Sequence, residues 1–253
     1  MQDVIILGTG NVAEHLCKAF SFKNSVNVTQ VYGRNVESLK KFNAYTETCS
    51  DPKAIKEATI YIIAVTDMAI ADVSKLLSNK KGIVTHTSGA MGIDTLTFEN
   101  AGVFYPLQTF TEGKTLDFKS IPICIEAKQK SALNELDKLA QSISNNVHEI
   151  TSDQRKKLHL AAVFANNFTN HLYQISEDLC KDSELPFSLL HPLIKETAEK
   201  IQSMSPKDAQ TGPARRGDKK SMENHLKLLK TKKQTDLYTL FSEAITKTYE
   251  EEL

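Results

Sequence analysis

The sequence predicts an α/β fold in which a doubly wound parallel sheet is followed by an all-helical C-terminal domain. Three observations lead there. The chain opens on an apolar run, Val4 to Leu7, that passes through glycines directly into a helical pattern. Strand and helix signals then alternate as far as about residue 150. Beyond that point almost every segment carries helical spacing. Alternation of this kind implies parallel strands joined by right-handed crossovers, and the change of period marks a second domain.

The elements follow in order. Val4 to Leu7 reads as a buried strand, and Gly8-x-Gly10-x-x-Ala13 leads from it into the first helix. Val28 to Tyr32 is a second strand ending at Gly33, and Val36 to Phe42 a short amphipathic helix. Thr59 to Val65 is apolar without alternation, the form of a central strand covered on both faces. Asp67 to Leu77 carries Ile70, Val73, Leu76 and Leu77 at helical spacing. Gly82 to Thr87, Val103 to Tyr105 and Ile121 to Ile125 supply later strands, with a helix at Ser131 to Ile143. After Thr151-Ser152-Asp153, a helix cap, one long helix bears Ala161, Phe164, Phe168, Leu172, Ile175 and Leu179 as an apolar stripe. Helices are expected at Ser188 to Met204, Met222 to Leu229 and Asp236 to Glu251, with a loop from Ser205 to Lys219. The expected domains are 1–150 for dinucleotide binding and 151–253 for substrate and dimerisation.

Composition narrows the function classes. The chain has 253 residues with 31 basic and 31 acidic side chains, so bulk charge gives no reason to expect nucleic acid or an anionic membrane as partner. No apolar run approaches the ~20 residues that span a bilayer. Cys17, Cys49, Cys124 and Cys180 are scattered with no paired spacing. They read as small apolar residues of a cytoplasmic protein, with no metal site expected.

The N-terminal glycines carry the strongest functional signal. Gly8 allows a tight turn, Gly10 lets the backbone approach a pyrophosphate, and Ala13 keeps the helix close to its strand. The helix N-terminus presents free N–H groups to phosphate, which assigns Gly8, Thr9, Gly10, Asn11 and Val12 to a cofactor site. This is the fingerprint of a Rossmann-like domain. The end of the second strand faces the adenosine ribose, where an acid favours NAD and a basic residue accommodates the 2′-phosphate of NADP. Here it reads Gly33-Arg34-Asn35, with no acid, so NADP (as NADPH) is expected over NAD, with Arg34 as the phosphate fork. FAD and S-adenosylmethionine also occupy Gly-rich strand–helix turns. Val65-Thr66-Asp67 and Ser88-Gly89, at the ends of later strands, favour a nicotinamide, although Asp67 could equally cap the next helix.

Five stretches are distinctive together: Gly8-Thr-Gly-Asn-Val-Ala13, Val84-Thr-His-Thr-Ser-Gly-Ala90, Val103-Phe-Tyr-Pro-Leu-Gln-Thr-Phe110, Ala165-Asn-Asn-Phe168 and Thr211-Gly-Pro-Ala-Arg-Arg-Gly-Asp218. They resemble a family of oxidoreductase-like proteins that joins a Rossmann-like domain to a helical domain of unknown function numbered 2520. The resemblance covers nearly the whole chain. The layout is more distantly similar to pyrroline-5-carboxylate reductase, 6-phosphogluconate-type dehydrogenases and coenzyme F420-dependent NADP reductases. The resemblance implies NADP binding and a homodimer built on the helical domain, and it supplies no substrate; the expected partner is a small-molecule substrate. Two departures stand out. The family often has His where this chain has Tyr105, and the region Phe164 to His171 lacks the lysine of the 6-phosphogluconate-type relatives.

Hydride transfer needs a placed substrate and a proton donor. Asn167 and His171 stand one turn apart on a face flanking the apolar stripe. Asn167 is expected to orient substrate, and His171 or Tyr105 to donate a proton. Gln108 and Thr109, at a strand end, are candidates to bind substrate, as are Arg215 and Arg216, a fork for carboxylate or phosphate. His86 reads as a satisfied core histidine. The expected function is hydride transfer between NADPH and a C=O or C=N bond of a small anionic metabolite. The alternative is a non-catalytic NADP-binding sensor or regulator acting through its helical domain.

Overall fold

In the computed structural model, residues 1–250 are described. Eight strands among them form one sheet. They are β1 (Gln2–Leu7), β2 (Val26–Tyr32), β3 (Thr48–Cys49), β4 (Ile60–Ile63), β5 (Ile83–His86), β6 (Ala101–Pro106), β7 (Ile123–Ala127) and β8 (Val147–Glu149). Their order is β3-β2-β1-β4-β5-β6-β7-β8. The first six strands have the Rossmann arrangement, with the reversal of order between β1 and β4.

The sheet is parallel except at one pair. β7 runs antiparallel to β6, with Tyr105 opposite Cys124, the one such pair in the mostly parallel sheet. A parallel return needs a crossover of a dozen or more residues, usually a helix. Between Pro106 and Ile123 the chain forms only a short 3-10 turn, Phe118–Ser120, so it comes back in the opposite direction.

Both sheet faces are covered, which is why the central strands are apolar without alternation. Val4 and Ile6 of β1 and Ile60 and Ile62 of β4 face α1 (Asn11–Ser21) and α4 (Lys130–Ile143). Ile5, Leu7, Tyr61 and Ile63 point the other way, toward Ile70 of α3 (Ile70–Ser74) and Leu77. Tyr105 of β6 lies on this second face, where Leu158 of α5 (Ser152–Ala162) packs. The segment expected as one helix at Asp67 to Leu77 is α3 flanked by two 3-10 turns. α2 (Val36–Leu39) likewise ends in a 3-10 turn at Lys40–Phe42.

Contacts divide the chain into Met1–Asn167 and a unit that begins at Phe168. The division falls one helix beyond the expected boundary, because α5 packs with the sheet. A Thr151–Gln154 capping box starts α5, as the cap signal predicted. The long helix expected across 161–179 is interrupted: the backbone at Val163–Phe168 is π-helical, and α6 (Thr169–Asp182) follows. The second unit continues with α7 (His191–Lys200), α8 (Pro206–Ala209), α9 (Lys219–Leu228) and α10 (Lys232–Tyr249). Pro192 sits in the first turn of α7, where a missing N–H costs nothing, so the helix begins later than Ser188. The expected loop from Ser205 to Lys219 contains α8 and ends at Asp218, which caps α9. In this unit Ala209, Ala214 and Tyr249 are the only buried residues among those described. Cys17 and Cys124 are buried as expected, whereas Cys49 and Cys180 are half-buried, and all four are free. No helix among the described residues is long and apolar enough to cross a membrane.

His86 is the satisfied core histidine the sequence suggested. It is fully buried, Ser88 N donates to its Nδ1 at 3.2 Å, and its Nε2 lies 3.3 Å from Gly92 O. Nδ1 is thus the acceptor and Nε2 carries the proton. Burial, and secondarily the charge of Arg155, push its pKa down to about 4.

Two outcomes follow. Gly8 has φ +135°, and a Cβ there would lie 2.1 Å from Ala64 O, so Gly8→Ala should lower stability in urea unfolding by at least ~2 kcal/mol. His86 is neutral when folded, whereas the unfolded chain takes up its proton near pH 6.5. The unfolded state therefore binds more protons between pH 6.5 and about 4, and stability falls as pH drops through that window. The full loss is about 3 kcal/mol. Unfolding curves at pH 7 and pH 4.5 should show it, with a smaller acid-side loss in His86→Gln.

Candidate functional site

The C-terminal ends of β1, β2, β4, β5 and β6 share one edge of the sheet, since these strands are mutually parallel. At the β1 end, Gly8 N donates to Tyr32 O at 2.8 Å, and Ala64 N donates to Leu7 O at 2.8 Å. The turn is held between the ends of β2 and β4, so closely that only a glycine fits at position 8. The chain then enters α1 with Gly10 as N-cap and no side chain capping it. The first intrahelical bond is Glu14 N to Gly10 O, at 3.0 Å. The N–H groups of Asn11, Val12 and Ala13 therefore have no acceptor within the helix, where the helix dipole adds about half a positive charge.

The residues present fit a dinucleotide. Gly10 is exposed, and a Cβ built on it would meet nothing within 4 Å. The space over the uncapped N–H groups is open, so a pyrophosphate can approach to hydrogen-bond distance. Thr9 is half-buried, and Asn11 is tied to the neighbouring segment, its Nδ2 donating to Phe110 O at 2.9 Å.

At the β2 end, Gly33 is buried and its N–H donates to Cys49 O at 3.0 Å. Arg34 is exposed beside it. The Asn35 side chain accepts from Glu37 N and Ser38 N, and so caps α2. At the β4 end, Val65 is half-buried, and Thr66 and Asp67 are exposed. Thr66, not Asp67, is the N-cap of the turn that follows, which leaves the Asp67 carboxylate outside a capping role.

At the β5 end, Ser88 is buried and its Oγ accepts from Ala90 N and Met91 N, so it shapes the loop. Gly89 is buried against two rings: a Cβ there would lie 2.6 Å from His159 Nδ1 and 2.8 Å from Tyr105 Cζ. Those rings meet edge to face, with the Tyr105 hydroxyl 3.0 Å from His159 Nδ1. Burial pushes the Tyr105 phenol up to about 12.

One turn before His159, Arg155 is fully buried. Its guanidinium pairs with Glu126 of β7 and donates to Met91 O at 2.7 Å and Ser88 O at 3.2 Å. Ser152 completes the cluster, its N and Oγ donating to the Glu126 carboxylate at 2.9 and 2.8 Å. α5 is thereby fixed to both β7 and the β5 loop. Sequence reasoning passed over Arg155, Glu126 and His159. The available signal was a lone Arg and His on one face, four apart, in a helix treated as a packing element.

The other candidates are not all gathered here. Gln108 and Thr109 are exposed, and Gln108 Oε1 accepts from Thr109 N at 2.8 Å. Asn167, the last residue of the first unit, is exposed within the π-helical turn, so the 3.6-residue spacing linking it to His171 does not carry across unchanged. His171 is exposed on α6 in the second unit. Arg215 is engaged within that unit: it bonds Gln210 O, and its Cζ lies 5.0 Å from the Tyr249 ring centroid. Arg216 next to it is exposed.

Comparison with known proteins places this geometry. Residues 3–89 match the family described as NADP oxidoreductase, coenzyme F420-dependent, and residues 121–245 match the domain of unknown function DUF2520. The chain is 37% identical to a Bacteroides fragilis protein of known structure named as a candidate NADP oxidoreductase, covering 97% of this chain and 98% of that one, with TM-score 0.90. A Thermotoga maritima protein is 23% identical over 98% of this chain and 99% of its own, with TM-score 0.76. A reductive aminase from Aspergillus terreus, in complex with NADPH and ethyl levulinate, shares the fold at 11% identity, covering 98% and 94%, with TM-score 0.69. No curated protein matches the sequence. The fold is thus shared over nearly its whole length with the Bacteroides protein, and the chain belongs to the family that joins an F420-dependent-type NADP oxidoreductase domain to a DUF2520 domain.

Proposed function

We propose that the chain is an NADP-dependent oxidoreductase that transfers a hydride between NADPH and a C=O or C=N bond of a small anionic metabolite. The observation that carries this reading is the open space over Gly10, above three helix N–H groups with no intrahelical acceptor. Bound there, the nicotinamide nucleotide supplies the hydride. Gly8 to Val12 hold the pyrophosphate, and Arg34, exposed beside Gly33 where no acid stands, takes the 2′-phosphate. Val65 to Asp67 and Ser88-Gly89 border the nicotinamide end, and proton handling belongs to the neighbouring Tyr105 position. Asn167 orients the substrate, His171 is the rival donor, Gln108 and Thr109 contact substrate, and Arg216 with Arg215 attracts its anionic group. The free thiols suit a cytoplasmic protein.

The second unit supports a homodimer. With three buried residues among those described, it has too little core to hold its helices alone. Leu172 of α6, Leu193 of α7 and Leu240 and Phe241 of α10 are all exposed apolar side chains. A second copy of this chain is the partner that covers them.

Calorimetry should find NADPH bound at least about tenfold more tightly than NADH, and Arg34→Ala should abolish the difference, worth ~1.4 kcal/mol. Gly10→Val should weaken both nucleotides at least about tenfold, while stability falls by only ~1 kcal/mol, since a Cβ there meets nothing within 4 Å and valine is merely a poorer N-cap than glycine. Equal affinities in the wild type would remove the NADP assignment. Light scattering should give twice the chain mass, and Leu240→Glu with Phe241→Glu should shift it toward the single chain. NADPH binding without oxidation of any 2-oxo acid, aldehyde or cyclic imine would instead favour the sensor reading.

A further inference from the structure

The Tyr105–His159 pair has a direction. Tyr105 is 8% exposed, whereas His159 is only partly buried, so the histidine is the more accessible member of the pair. Its Nδ1 side is enclosed: Tyr105 Oη is 3.0 Å away, and the Gly89 backbone is packed against Nδ1 and Cγ. The two ring nitrogens flank Cε1 and point in divergent directions, so an enclosed Nδ1 leaves Nε2 free to face the accessible side. With the phenol as the donor to Nδ1, the neutral ring is the tautomer that carries its proton on Nε2. Arg155, its charge paired with Glu126, holds the helix one turn before. Other titratable groups on the elements packed here are Cys124, across from Tyr105 on β7, buried His86 on β5, and Lys156 on the same helix, whose Nζ approaches Gly92.

We propose that His159 is the proton-donating residue of this site, presenting Nε2–H to the substrate, and that Tyr105 is a positioning residue acting through it. This rests on the oxidoreductase reading and names the donor within it. In the reducing direction, a bound reduced nicotinamide would supply the hydride to the substrate carbon. The π pair of the C=O or C=N bond moves to oxygen or nitrogen, which takes the Nε2 proton of neutral His159. As that proton leaves, the Tyr105 phenol proton passes along its hydrogen bond to Nδ1; water then returns a proton to Nε2 from the open side and the Nδ1 proton goes back to Tyr105 Oη. Gly89 is required because a larger residue would push the ring off Tyr105.

The test is nitrogen-detected NMR of ¹⁵N-histidine-labelled full-length protein, with His159→Gln assigning the resonance. In its neutral form wild-type His159 should be the Nε2–H tautomer, Tyr105→Phe should give a mixture of tautomers, and the Nε2 signal should move on saturation with NADPH. In NADPH oxidation with 2-oxo acids and cyclic imines, His159→Gln should lose at least ~100-fold in kcat with KM within about threefold. Tyr105→Phe should lose about tenfold and displace the alkaline limb of the pH profile. An Nδ1–H tautomer in the wild type overturns the proposal. So does an unmoved Nε2 signal when calorimetry reports bound NADPH, or wild-type kcat in His159→Gln. No heat of NADPH binding would instead defeat the oxidoreductase reading, while the tautomer would still decide the geometry of the pair.

Discussion

The arrangement of the sheet edge depends on one buried cation. Arg155 is fully buried, and an unpaired guanidinium there would face a desolvation cost of several kcal/mol. Glu126, Ser88 O and Met91 O satisfy it, and each belongs to a different place: β7 and two points on the β5 loop. A network of this kind is favourable only when every partner is in position. It therefore fixes where α5 lies on the sheet, and with it the ring that meets Tyr105. Removing Glu126 would strand the charge, which costs more than the pair itself contributes.

The turn at Gly8 imposes a second constraint at the other end of the edge. Its φ of +135° and its approach to Ala64 O bring the end of β1 against the end of β4, where the strand order reverses. The turn itself is thus set by backbone geometry, and this is why the glycine pattern is readable from sequence.

Much of the fold was legible for the same reason. Apolar runs such as Ile60–Ile63 declare a strand buried on both faces, and Gly8 and Gly10 have few other uses. What escaped was short or non-local. β3 has two residues and β8 three, too few to show a period. The reversal at β7 depends on what is missing between it and β6, and the π turn at Val163–Phe168 leaves the 3.6-residue pattern nearly intact to the eye. In the site, the phosphate-binding glycines and Arg34 could be read from position within a motif. Asn35 could not, because cap and ligand use the same amide. His159 joins Tyr105 across 54 positions of chain, a pairing that no local spacing encodes. Arg215 carried a plausible charge whose partners, Gln210 O and Tyr249, come from loop closure.

The two outermost strands are also the two shortest. A sheet rim normally exposes a ladder of unpaired N–H and C=O groups that recruits further strands from other molecules. Here β3 stops after Thr48 and Cys49, and β8 presents exposed His148 and Glu149 beside Val147. Neither rim is long enough to template another chain, so lateral stacking into fibrils finds no foothold on this sheet.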